Sequence, residues 1–377
     1  DALIDLGERP GAAHPGSKLL TLVHSLLAGG DCIDDADLLR AGSTAAVLGH
    51  RVLAPSTLGT FLRAFTFGHI RQLDRLAEQV LGRAWAAGAG PGEQPLTVDL
   101  DSTVCEVYGH AKQGAAYGYT RQLGYHPLLA TRADTGEVLH ARMRTGRANT
   151  ARGAKRFVEE LAGRLRRAGA SGQLTLRADS GFWSAKVLAA CRRHRIRFSI
   201  TVRRTVTVAT AIASIPEAAW TDIDYPDGGV AQLAETTLGG DRLLVRRTRL
   251  LGAQATLWPD WRYHAFITDR AGDTLGLEAD HRRHAVVELA IRDLKNGDGL
   301  RRRFESAGFG DFFYAPDARD WQILRKGKLP DLAGPLARRL AVDTHMSLLA
   351  DGDFVNQQEA IDAALLHHGL GPPEKRP

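Results

Sequence analysis

Cysteine is scarce in this chain. Cys32, Cys105 and Cys191 are the only three in 377 residues, they lie far apart, and none forms a C-x-x-C pair. That spacing argues against a zinc ribbon and a disulfide framework, and leaves three small apolar side chains suited to a reducing compartment. Long apolar runs are missing too. No stretch approaches the ~20 residues that a membrane-spanning helix needs, which excludes a helical membrane protein. No leader with a basic start and an apolar centre opens the sequence, and residue 1 is Asp rather than Met, as expected of a fragment or a processed product. Internal repeats and low-complexity tracts are absent as well.

What remains is globular in composition: 44% of residues are hydrophobic and 24% charged, too apolar for a disordered chain and long enough for two or three domains. Lys and Arg number 49 against 43 Asp and Glu, giving a net charge of +6. Most of the positive charge is Arg, whose planar fork suits phosphate, so the balance points to a polyanion partner. A GC-rich genome also enriches Arg, Ala and Gly, so charge alone does not decide.

Helical spacing dominates the first 90 residues. Leu19, Leu20, Val23, Leu26 and Leu27 form one stripe, ended by Gly29-Gly30, and Asp34, Asp35 and Asp37 begin a second helix. Ser56-Thr57 starts a third with Leu58, Phe61 and Leu62, and a longer one follows through Ile70, Leu73, Leu76, Val80 and Leu81. This is expected to be an N-terminal helical, DNA-binding domain over 1–90. Ala86 to Pro95 reads as a linker. Strand candidates then appear at Leu96 to Leu100, Leu128 to Ala130 and Glu137 to Arg144, followed by an amphipathic helix from Thr150 to Ala168. A strand at Leu174 to Ala178, a helix at Ser184 to His194 and a strand at Arg197 to Val202 complete an α/β pattern. Short strand candidates at Val206-Val208, Val230-Leu233, Leu243-Val245, Ala255-Leu257 and His264-Ile267 mark a β-rich insertion, and one strong helix is predicted from about Asp280 to Lys295.

Three carboxylates stand out. Thr97-Val98-Asp99-Leu100-Asp101-Ser102-Thr103 places two acidic residues in an apolar strand, on one face because strand side chains alternate. Acid there is costly unless paired or bound to a cation, although an Asp capping the turn into Ser102-Thr103 fits equally well. Asp179 follows a buried strand and precedes a Gly turn, where a carboxylate either lines a functional crevice or closes an Asx-turn. On the last helix, Val287, Ala290, Ile291 and Leu294 form the buried stripe, and His281, His284, Glu288 and Lys295 share the neighbouring one. In isolation that stripe is an ordinary solvated Glu–Lys face. Two strand-end Asp residues and one helical Glu together are a donor set for Mg²⁺ or Mn²⁺.

The motifs Asp99-Leu100-Asp101-Ser102-Thr103-Val104, Gly114-Ala115-Ala116-Tyr117-Gly118-Tyr119, Arg177-Ala178-Asp179-Ser180-Gly181-Phe182-Trp183 and Glu288 through Lys295-Asn296-Gly297 resemble the D-D-E transposases of bacterial insertion sequences, particularly the insertion-sequence thirteen-eighty type. The resemblance spans roughly residues 1 to 320. It implies an α/β fold with an RNase H-like mixed sheet flanked by helices. The implied division is a catalytic core over 91–204, the β-rich insertion over 205–272, and the Glu helix over 273–320. It makes Asp101, Asp179 and Glu288 the catalytic residues and metal ligands, with Asp99 in reserve. The implied activity is Mg²⁺- or Mn²⁺-dependent cut-and-paste transposition on double-stranded DNA, both terminal inverted repeats and target, by a homodimer. The implied place is the bacterial cytoplasm, on the nucleoid. Expected DNA contacts are Lys295, the dense cluster Arg301-Arg302-Arg303, and Tyr117 with Arg121 in an aromatic and cationic loop. Arg203-Arg204, Arg246-Arg247 and Arg249 are weaker candidates.

Two departures stand against the pattern. Where related families carry Tyr and Arg seven and four residues before the Glu, this chain has His281 and His284, with Arg282 or Arg283 available as substitutes. After Trp321, an atypical tail over 321–377 with scattered polar residues and Gly371-Pro372-Pro373 replaces the expected apolar helix, as a frameshifted or fused segment would. Both departures keep a second reading open: an inactive or truncated copy that only binds DNA.

Overall fold

The computed structural model describes residues 1–30, 32–107, 114–224, 229–249 and 261–296. Asp1–Ala12 and Ala64–Asn296 form one compact unit, and Ala13–Arg63 belongs to a second. The predicted strand at Ala255-Leu257, the cluster Arg301-Arg302-Arg303 and the tail 321–377 lie outside the described residues.

The described part of the second unit, Ala13–Arg63, is helical. Helix α1 (Pro15–Leu27) starts with Pro at its first position, where the missing N–H costs nothing. The segment begun by the three Asp residues is a 3₁₀ helix, Ile33–Arg40, not an α-helix, and short helices α2 (Thr44–Leu48) and α3 (Pro55–Arg63) follow. Ala36, Leu53 and Leu58 make its small core, and the hydroxyl of Thr21 accepts the N–H of Leu53 at 3.2 Å.

The first helix of the larger unit is α4 (Phe67–Ala84), which runs into a wider turn over Trp85–Ala89. The expected linker is therefore partly helical, because buried Trp85 anchors it and donates its indole N–H to Glu137 at 3.1 Å. Strand β1 (Leu96–Ser102) comes next. Three very short strands, β2 (Cys105–Glu106), β3 (Ala116–Tyr117) and β4 (Leu123–Tyr125), form a separate small sheet. Strands β5 (Leu128–Arg132) and β6 (Val138–Arg142), helix α5 (Ala154–Ala168), strand β7 (Leu174–Ala178), helix α6 (Ala185–Arg193) and strand β8 (Ile196–Thr201) complete the core. Their order in the sheet is β6-β5-β1-β7-β8, with β1, β7 and β8 parallel and β5 and β6 antiparallel. This is the RNase H-like arrangement that the motifs implied.

One face of that sheet is apolar. Val98, Leu100, Leu174 and Leu176 pack against Phe157, Val158, Leu161 and Leu165 of α5. Burying each of these large side chains contributes about 2 kcal/mol. The opposite face carries Asp99 and Asp101 on β1 and Arg177 on β7, so strand alternation alone separates the hydrophobic face from the polar one.

The inserted block differs from expectation at its start. Val206–Ala213 is a helix, α7, rather than a strand. Thr205 caps it by accepting the N–H of Val208 at 3.3 Å, and Ala209, Ala211 and Ala213 favour helix over the β preference of Val206 and Val208. Strands β9 (Thr221–Ile223), β10 (Val230–Leu238), β11 (Asp241–Arg249) and β12 (Arg262–Thr268) do form. Strand β12 pairs antiparallel with β8, making one nine-stranded sheet that ends in β12-β11-β10-β9.

The predicted long helix is broken. It consists of α8 (Thr274–Arg282), a 3₁₀ turn over Arg283–Val286, and α9 (Val287–Asn296). Azimuths projected along one continuous helix from His281 to Lys295 therefore do not hold. No described helix is long and apolar enough to cross a membrane.

Candidate active site

On β1, Asp99 and Asp101 share the polar face yet differ in environment. Asp99 is 1% exposed. Its Oδ2 accepts Arg177 Nη2 at 2.7 Å, and its Oδ1 accepts Arg177 Nε at 2.8 Å. His284 Nδ1 lies 2.9 Å from that same Oδ1. Asp99 and Arg177 are direct register partners across the parallel β1–β7 pair, which lets the two planar groups meet face on. Fully engaged in this way, Asp99 is a structural anion, and the reserve role drops away.

Asp101 stands at the open end of the strand, half-buried, with Oδ1 accepting the N–H of Ser102 at 2.6 Å. Burial pushes its carboxyl up to about 6. The Ser102 N–H and nearby His284 oppose that shift, and the charges of Asp179 and Glu288 add to it. Asp101, Asp179 and Glu288, brought by β1, the end of β7 and α9, thus share one electrostatic neighbourhood.

Asp179 is exposed just past β7, and its Oδ1 accepts the N–H of Gly181 at 2.9 Å. The Asx-turn is real, and it points the chain into Phe182, which is fully buried. Gly181 is required by space: a Cβ there would lie 2.6 Å from Thr150 Cγ2 and 3.0 Å from Asp179 Oδ1. Glu288 is exposed in the first turn of α9, which is seated through Val287 and Ile291 against Leu129 of β5.

Several residues that sequence reasoning passed over support this arrangement. His126 Nδ1–H donates to Ala148 O at 2.6 Å, leaving Nε2 to accept the hydroxyl of Ser102 at 3.1 Å. Arg144 donates to the carbonyls of His126, Asn149, Thr150 and Arg152 at 2.7–3.2 Å, fixing the loop that carries Thr150. Burial, with Arg152 nearby, lowers the Arg144 guanidinium to about 10. Arg177, flanked by Leu176 and Ala178 in a buried strand, was the legible signal: an Arg there needs an anion.

His281 is not a phosphate ligand. It is 4% exposed, stacked on Phe266 at 4.0 Å, with Nδ1 2.8 Å from Ser199 Oγ and Nε2 3.0 Å from Thr201 Oγ1. Burial pushes its ring down to about 2, so it is neutral. Arg282 is turned to Glu278 at 3.1 Å, as is Arg246, and Arg247 is buried between the rings of Trp220 and Trp261. Arg246 and Arg247 are thereby withdrawn from the list of DNA contacts. Tyr117 and Tyr119 are exposed on and beside β3, and Arg121 is exposed with φ +59°. The Tyr119 ring stands 5.7 Å from His126, which places this loop beside Ser102. Lys295 belongs to α9.

Residues 2–240 match the family described as Transposase DDE domain group 1. The chain belongs to that family. It is therefore a transposase of the DDE type, a family that generally uses divalent metal ions. No curated protein matches. Among solved structures, a piggyBac transposase synaptic complex with hairpin DNA is similar at 13% identity and TM-score 0.41, over 96% of this chain and 73% of that one. A Mos1 transposase paired-end complex with the left transposon end aligns at 12% identity and TM-score 0.20, over 43% of this chain and 56% of that one.

Among the described residues, no three His, Cys, Asp or Glu side chains already stand at coordinating spacing. The donor chemistry nonetheless fits a divalent ion. Hard carboxylate oxygens are what Mg²⁺ and Mn²⁺ take, and Asp101, Asp179 and Glu288 supply them.

Proposed function

We propose that this DDE transposase of the insertion-sequence thirteen-eighty type cuts and joins DNA strands at the inverted-repeat ends of its element, with Asp101, Asp179 and Glu288 as catalytic residues. The observation that carries the reading is that Asp101 and Asp179 each follow one of the register partners Leu100 and Ala178 on parallel strands, while α9, which carries Glu288, packs on Leu129, the register partner of Asp101. These carboxylates would hold Mg²⁺ or Mn²⁺, which supplies Lewis-acid stabilisation of the attacking and leaving oxygens. Asp101 is fixed by the Ser102 N–H and Asp179 by the Gly181 N–H, so both present their outer oxygens without losing side-chain entropy at the moment of reaction. In the first step, water attacks the phosphorus at the element's end and the P–O3′ bond breaks, leaving a 3′-hydroxyl. In the second, that 3′-oxygen attacks a target phosphorus and displaces a target 3′-oxygen, so the number of phosphodiester bonds is conserved.

Exposed Tyr117 and Arg121 beside the site, with Lys295 and Arg301-Arg302-Arg303, would grip the DNA by stacking and phosphate contact. Two ends must be handled together, which calls for a homodimer with one copy at each end. The test is Mg²⁺-dependent cleavage of the element's own end DNA, with Asp179→Ala alongside. Cleavage at the end, abolished in Asp179→Ala while DNA binding persists, is the expected result. Salt-sensitive binding without cleavage by the wild type would refute the catalytic reading and return the inactive DNA-binding copy.

A further inference from the structure

Each of the three carboxylates has a companion a few residues earlier in the chain. Asp99 precedes Asp101 by two residues on β1, Arg177 on β7 precedes Asp179, just past that strand, by two, and His284 in the 3₁₀ turn precedes Glu288, in the first turn of α9, by four. The three companions meet at a single buried carboxylate, that of Asp99, which accepts Arg177 Nε and Nη2 at 2.8 and 2.7 Å and His284 Nδ1 at 2.9 Å. We propose that Asp99, Arg177 and His284 are positioning residues, a tier beneath the catalytic carboxylates that ties together the elements from which those carboxylates close on a divalent ion. This inference rests on the transposase reading above and adds to it the residues that hold the elements of the site.

The geometry favours that role over plain packing. Arg177 extends past Asp99: its Nη1 donates to Asp280 O at 2.6 Å and to Asp280 Oδ1 at 3.1 Å, at the end of α8, and Asp280 also pairs with Arg270. One guanidinium therefore ties together β1, β7 and the helix that leads to Glu288. The backbone between Asp280 and Glu288 changes from α to 3₁₀ and back. His284 lies within that 3₁₀ turn and fastens it to Asp99. An ionised Asp99 cannot donate, so Nδ1 of His284 carries the hydrogen. Glu288 itself is exposed, and α9 is otherwise seated by Val287 and Ile291, so the His284 bond fixes where that helix begins.

The experiment uses the full chain and Mn²⁺ as the probe, with bound ion counted by electron paramagnetic resonance and folding followed by thermal melting. The variants are Asp101→Asn and His284→Asn, His284→Gln and His284→Phe. The amide nitrogen of Asn takes the place of Nδ1, and that of Gln takes the place of Nε2. Loss of an orienting partner typically costs 10–100-fold in metal affinity, so His284→Gln and His284→Phe should weaken Mn²⁺ roughly tenfold or more, and His284→Asn should stay within about threefold of wild type. Asp101→Asn should abolish binding. A wild type that binds no Mn²⁺ would overturn the metal-dependent catalytic reading and this inference with it. Binding that depends on Asp101 but is equal across all three His284 variants would overturn the positioning role alone. So would retention by Gln with loss by Asn, since Nε2 would then be the working atom. The Asn and Gln variants differ only in where the amide sits, so a failure of His284→Phe to fold leaves the comparison intact.

Discussion

Removing the charge of Asp99 should unfold the larger unit at a distinctly lower temperature. The Asp99 and Arg177 side chains are each 2% exposed, so water cannot replace the lost partner. Asp99→Asn keeps the volume but turns an amide N–H₂ toward groups that only donate, leaving Arg177 with Asp280 as its remaining anion. Breaking one side of a buried pair costs about 3–5 kcal/mol, and the Asp280 contact argues for about 3. For a unit of this size each kcal/mol lowers the melting temperature by roughly 2–4 °C, so a drop of about 6–12 °C is expected. Differential scanning calorimetry on Asp99→Asn, Arg177→Met and the double variant Asp99→Leu/Arg177→Met measures it. The double variant should recover much of the loss, because a buried pair replaced by apolar groups is often neutral. A single variant melting within about 1 °C of wild type, or a double variant as unstable as the sum of its singles, would refute the reasoning.

Three further outcomes follow from the same structure. The His140 ring is buried against Phe157, its nitrogens have no hydrogen-bond partner, and burial, with Arg164 and Arg142, lowers it to about 4. A folded value below the unfolded 6.5 means that the stability it contributes is present above pH 6.5 and lost as pH falls toward 4, at about 1.4 kcal/mol per pH unit. His140→Phe should therefore flatten the acid limb of a urea-denaturation pH profile, and an unchanged slope would contradict this. Gly181→Ala should cut end cleavage by at least about tenfold with melting little changed, since its Cβ meets Thr150 and the Asp179 carboxylate; full activity would refute the packing argument. Cys191, buried with its thiol pushed up to about 12, should resist alkylation in native protein, whereas exposed Cys32 reacts, as peptide mass mapping would show; rapid native labelling of Cys191 would contradict it.

The elements that carry the three carboxylates were legible because each held a local conflict: acid in an apolar strand at Asp101, acid at a strand-to-helix turn at Asp179, and Glu288 beside an apolar stripe. The strand pattern gave the core in the same way, since Leu96, Val98 and Leu100 alternate and Phe157, Leu161 and Leu165 follow helical spacing. What escaped was non-local. Nothing in Arg177 names Asp99, 78 residues earlier, as its partner. The break at Arg283–Val286 contains neither Gly nor Pro, so periodicity reads through it, and His281 looked available until Phe266, Ser199 and Thr201 closed around it. At Val206 the cap formed by Thr205 outweighed β-branched propensity, a reminder that one hydrogen bond at a boundary can decide a short element.

The union of the insertion with the core at β8 and β12 has a practical consequence for anyone dissecting the molecule. Ser199 and Ile200 pair with β7 on one side and β12 on the other, while Phe198 pairs with β7 alone and Thr201 with β12 alone. A fragment cut after residue 204 would present this row of amides and carbonyls to solvent as a sticky margin, ready to recruit the same margin of a neighbouring fragment. Minimal versions of this transposase, or chimeras with relatives, should therefore exchange β8 through α9 as one piece.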